Sequence, residues 1–98
     1  MAATTGNATV SFGAAPTWRT DASVTITGQT GILATSYVEA WIRLEATADH
    51  SVDEHRVEPL KVTAGNIVAG TGFTIYIDCV GDYGYGVYGD WKVNWVWV

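Results

Sequence analysis

The chain is short of several things at once. It has one cysteine, Cys79, so no internal disulfide can form. It has five Lys and Arg against ten Asp and Glu, a net charge of −5. Arg19, Arg43, Arg56, Lys61 and Lys92 are spread singly along the sequence. No basic patch exists to neutralise phosphates, so nucleic acid is not an expected partner. An acidic chain is also poorly suited to an anionic membrane surface. No apolar run approaches the roughly 18 residues of a membrane-spanning helix. "MAATTGNATV" lacks the basic-then-apolar order of a secretory signal, so synthesis and folding in a cytoplasm are expected. Catalytic signatures are missing too. There is no Gly-x-Ser-x-Gly elbow and no phosphate loop, and the glycines of "GYGVYG" lead into no predicted helix. Neither an enzyme nor a cofactor is expected.

What remains is apolar and β-rich. The 98 residues are 48% hydrophobic and only 15% charged, which argues for a single domain over 1–98. Turn residues recur at short intervals, and the stretches between them alternate. "ATVSF" (8–12) puts Val10 and Phe12 on one face, and "ASVTITG" (22–28) does the same with Val24 and Ile26. In "SYVEAWIRLE" (36–45), Val38, Ala40, Ile42 and Leu44 form one face, while Tyr37, Glu39, Trp41, Arg43 and Glu45 form the other. Strict period-two alternation predicts strand there, despite helix-favouring Ala, Leu, Glu and Arg. "RVEPLKVTAG" (56–65) contains Pro59 and predicts an edge or bulged strand. "GFTIYIDCV" (72–80) predicts a strong strand with Cys79 as a small core residue. "GDYGYGVYGD" (81–90) predicts a hairpin loop. Together these elements predict a compact antiparallel β-sandwich of six to seven strands, immunoglobulin-like or jelly-roll-like.

The terminal "DWKVNWVWV" is the least ordinary stretch. Trp91, Val93, Trp95 and Trp97 share one face, and Lys92, Asn94, Val96 and Val98 the other. Core strand, subunit interface and sugar platform are competing uses for it. Because the last half is apolar on both faces, Trp95 to Val98 are expected to be paired on both sides or covered by another subunit.

Two constellations are candidates for function. "DHSVDEH" gathers Asp49, His50, Asp53, Glu54 and His55. His50, Asp53 and His55 are weak metal candidates, because imidazole and carboxylate are zinc and manganese ligands. The spacing departs from the helical His-Glu-x-x-His pattern, and the plain alternative is a solvated polar turn braced by Asp49 and Asp53. No metal is therefore assigned. The aromatics form the second set, five Trp and five Tyr. Trp41 and Tyr37, with Trp95, Trp97 and Val98, are candidates for protein–protein contact. Trp41 and the tyrosines Tyr83, Tyr85 and Tyr88 are candidates for stacking on sugar rings.

The segment "VEAWIRLEATADHSVDEHRVEPLKVTAGNIVAGTGFTIY", with its closing "WKVNWVWV", resembles small proteins encoded in the structural-gene regions of tailed bacteriophages. The resemblance covers most of the chain, from about "VTITGQTGI" onward. It implies a non-enzymatic virion protein, assembled in the host cytoplasm, that decorates a capsid or joins a tail or fibre. Its partners would be other virion proteins and further copies of itself, a trimer first. The alternative is a carbohydrate-binding adhesin module of a phage tail that reads host surface glycan. The resemblance carries no catalytic residue.

Overall fold

The chain's computed structural model describes residues 3–15, 17–80 and 86–98. Six strands and one short helix follow in order: β1 (Thr4–Ser11), β2 (Asp21–Ile26), β3 (Val38–Ile42), α1 (Val52–Val57), β4 (Leu60–Val68), β5 (Gly72–Cys79) and β6 (Asp90–Trp97). They form two antiparallel three-stranded sheets, ordered β1-β6-β3 and β2-β5-β4. The all-β sandwich read from the alternation is the fold that is found.

The core lies between the sheets. Val10 and Phe12 come from β1 and its exit, Phe73, Ile75 and Ile77 from β5, and Trp91, Val93 and Trp95 from β6. Period-two spacing delivers these side chains inward from the central strands β5 and β6 and from the edge strand β1, as each pleat points alternate residues to one face. Ile32, supplied by the β2–β3 connection, is also buried. The Phe73 and Trp95 rings meet edge to face at 5.5 Å, a geometry that adds to area burial. Cys79 packs at the margin of this core and is only half-buried.

The terminal tryptophan run is the central strand of its sheet. Trp97 is opposite Thr4 on one side and Val38 on the other, and Trp95 is opposite Gly6 and Ala40. The carbonyl and amide of Val98 both bond Tyr37, at 3.2 and 3.0 Å. β6 is thus paired on both edges within one chain. The strand β1 begins four residues earlier than its apolar alternation suggested, because "TTGN" pairs with "NWVW". Gly6 is required there, since a Cβ would run into the Trp95 indole.

Several expectations are corrected. Arg56 and Val57 end a helix rather than begin a strand, and β4 starts only after Pro59. β4 is an edge strand with an irregularity between Gly65 and Val68, as the proline suggested. Leu44 lies past the end of β3 and is exposed. The expected hairpin loop over 81–90 falls partly on 81–85, outside the described residues, but β5 and β6 are not hairpin partners, because they belong to different sheets. The described part of this segment carries the chain across, and Val87 exchanges both backbone bonds with Arg19 on the way. The open outer face beside the chain end also differs from the two-sided burial expected. Val96 is half-buried and Val98 exposed.

Candidate functional site

The β3–β4 connection holds the histidines. Ser51 caps α1: its hydroxyl accepts from the Glu54 amide at 3.1 Å, and the Glu54 carboxylate accepts from the Ser51 amide at 3.0 Å. This reciprocal capping box is encoded as Ser-x-x-Glu. It fixes one helical turn and thereby aims His50 and His55 at Trp91. Both imidazoles are buried, His50 5% and His55 2% exposed, which overturns the reading of a solvated turn. His50 stacks on the Trp91 indole at 3.9 Å between ring centres, and His55 tilts against the same ring at 4.9 Å.

Every ring nitrogen of the pair is engaged. His55 Nδ1 donates to the Ser51 carbonyl at 2.8 Å, which leaves Nε2 to accept the Lys92 amide at 3.0 Å. His50 Nδ1 meets the Glu54 carboxylate at 2.9 Å, and its Nε2 meets the Tyr88 carbonyl. Asp53 points away and pairs loosely with Arg56 at 3.5 Å. His50, Asp53 and His55 are therefore not brought to one point, and no group of three potential ligands is gathered among the described residues.

The connector's chemistry is structural and specific. β3 ends at Ile42, whereas β6 begins at Asp90, so the first residues of β6 lose their neighbour on that side. The Arg43 amide still reaches the Lys92 carbonyl at 2.9 Å. Beyond it, side chains replace backbone. His55 takes the Lys92 amide, Asp49 Oδ2 takes the Asp90 amide at 2.9 Å, and the Thr47 hydroxyl donates to the Asp90 carbonyl at 2.9 Å. Buried backbone groups need such partners, and an uncovered sheet edge invites pairing with another chain. Gly89, at φ +77°, allows the approach, because a Cβ there would meet the Asp49 side chain at 2.6 Å.

Three groups respond to these surroundings. The His50 hydrogen bond, with those of Ser51, holds the Glu54 carboxyl below its ordinary value. The Arg43 hydrogen bond does the same for Glu45. Burial pushes the Cys79 thiol up, and its sulfur lies 3.7 Å from the Arg19 carbonyl. A raised thiol is a poor nucleophile.

The aromatic candidates separate into two environments. Trp95 is buried in the core, and among the described residues its Nε1–H meets no acceptor. Trp97 is half-buried, with Nε1 donating to Gln29 Oε1 at 2.9 Å. Tyr88 is half-buried between Trp18 and His50, so it is not an open stacking platform. Tyr83 and Tyr85 lie outside the described residues. Tyr37, Trp41 and Val98 remain at the surface, with Tyr37 81% and Trp41 46% exposed. Trp41 stands on the outer face of its sheet, in one row with Asn94 and Asn7. Arg43, one pleat along, donates to Asn94 Oδ1 at 2.9 Å and to Glu45 Oε2 at 2.8 Å. Leu33, at 63% exposure, and Trp18 are surface residues that alternation could not flag, because both sit in connections. The polar neighbours of Trp41 were equally hidden, since only strand register brings residues 7, 41 and 94 together.

No family model, no curated protein and no solved structure matches the chain.

Proposed function

We propose that the chain is a non-enzymatic structural protein of a bacteriophage virion, a capsid decoration or a tail or fibre component. It works by contacts repeated over many copies. The observation that carries this reading is an apolar surface at one end of an otherwise complete sandwich. Leu33 and Tyr37 belong to one connection, closed by the bond from the Leu33 amide to Ser36 Oγ at 3.0 Å. Val98 is bonded to Tyr37 there, and all three side chains are exposed. A domain that satisfies its own core and still exposes such side chains has apolar area to bury against neighbours, at roughly 25 cal/mol per Å² before ordering costs. Symmetry repeats the gain in every copy. The sequence resemblance to phage structural-region proteins supplies the context.

Mass spectrometry of separated heads and tails from purified virions tests this reading. The chain is expected in one of the two fractions, and its absence from both would overturn it. Light scattering on the isolated chain is expected to give an oligomer, a trimer first. Tyr37→Asp should weaken that association without unfolding the domain.

A further inference from the structure

The outer face of the β1-β6-β3 sheet carries a feature that the assembly reading does not use. Among the strand residues of that face, Trp41 is the only aromatic one. Its indole stands between two shallow hollows. One, of about 190 Å³, is lined by Thr5, Asn7, Arg43 and Asn94, and also by Gly6 and Trp95. The other, of about 350 Å³, runs along the β3–β4 seam past Glu39 and Thr63.

The surroundings specify the ligand chemistry. An apolar protein partner would cover amides and a guanidinium without pairing them, which costs free energy. A pyranose ring differs: one face presents C–H groups and its rim presents hydroxyls. An indole suits the first, while amides, hydroxyls and N–H donors suit the second. Here Arg43 holds Asn94 in place. Asn94 accepts from Arg43 through Oδ1, which leaves its Nδ2 as the donor, and Asn7 and Thr5 lie on the neighbouring strand. The Arg43 charge is already paired with Glu45 at 2.8 Å, and Glu39 lines the second hollow, so the site favours a neutral sugar over an acidic one. A ring flanked by two hollows also fits a ligand that passes over it and continues on both sides.

We propose that this face binds a neutral pyranoside oligomer, with Trp41 stacked on one sugar ring and Asn94, Asn7 and Thr5 bonding its hydroxyls. The proposal stands apart from the virion reading, which can hold whether or not a sugar binds. The test is a titration followed by the indole and side-chain amide resonances of ¹⁵N-labelled protein. The probes are β-1,4-linked tetramers of glucose, galactose and N-acetylglucosamine at millimolar concentration. At least one tetramer is expected to shift the Trp41 indole and the Asn94 and Asn7 amides saturably, leaving the buried Trp91, which lines neither hollow, unmoved. Trp41→Ala should weaken that binding by roughly tenfold or more. Asn7→Leu, on an exposed edge-strand residue, should weaken it by a few-fold and keeps the test valid if the first variant folds badly. A Trp41 resonance unmoved by all three tetramers, or binding unchanged in a folded variant, would overturn the proposal.

Discussion

The two halves of β6 solve one problem in different ways. From Val93 to Trp97 the strand is flanked on both sides by backbone, β1 on one edge and β3 on the other. From Asp90 to Lys92 only β1 continues. On the other edge Thr47, Asp49 and His55 stand in for a strand with a hydroxyl, a carboxylate and an imidazole. Backbone pairing repeats, and many sequences can supply it. The substitute depends on three particular side chains, His55 on a helix of six residues and Thr47 and Asp49 in the turn that precedes its Ser51 cap. The first solution gains its strength from area, the second from fit. The second half should therefore fail globally when cut, and the first half locally.

The largest effect is expected at the paired end. Removing residues 95–98 deletes two tryptophans and two valines from the central strand. Trp95 is buried and Val96 and Trp97 half-buried, so at roughly 1.5–3 kcal/mol per fully buried large side chain the loss takes several kcal/mol from a small domain's stability of about 5–15 kcal/mol. Circular dichroism should show an unfolded or dissociated chain. A truncated chain that stays folded and in the same oligomeric state would make this end dispensable. Next comes the connector. His55→Leu keeps the bulk against Trp91 but leaves the Lys92 amide without its acceptor, so denaturant titration should show a loss of about 1–3 kcal/mol. Ser51→Ala removes the cap of α1 and should cost about 1 kcal/mol, with the loss confined to the connector by hydrogen exchange.

The smallest effect is with pH. Glu54 and Glu45 are both held below their ordinary 4.5 in the folded state. A carboxyl depressed in this way stabilises the fold fully above its unfolded value, and that contribution is lost as pH falls through its folded value. Thermal midpoints should therefore fall on acidification below about pH 4.5, with no contribution from these two groups to any change above about pH 5. Glu54→Gln should remove part of the acid dependence. Both carboxylates are exposed, so the change is modest.

This contrast also marks what the sequence discloses. Alternation exposed β2, β3, β5 and β6, because period two is imposed by the pleat itself. It set Trp41 on the face opposite the apolar side of its strand and put Trp91, Trp95 and Trp97 on one shared face, and the structure turns that shared face to the core. It underestimated β1, whose "TTGN" has no apolar face because the Trp95 ring fills the space above Gly6. It read His50 and His55 as solvated, since their burial depends on a strand 37 residues away. The Ser-x-x-Glu signal for α1 was present locally and was the one clue to a helix in that connection. Nothing local reveals that β5 and β6 belong to different sheets, or that Asn7 and Asn94 lie in one row with Trp41. Those facts belong to register, which forms only when distant strands pair.

The central claim is that side chains of the connector complete the edge of β6 where β3 runs out. Amide hydrogen exchange at Lys92 tests it most directly. In the native chain Lys92 and Asp90 should exchange slowly, in the range of the doubly flanked Trp95. In His55→Leu the Lys92 amide should lose most of that protection while Trp95 keeps its own. A Lys92 amide that exchanges like an open loop in the native chain, or that stays fully protected in His55→Leu, would contradict the account.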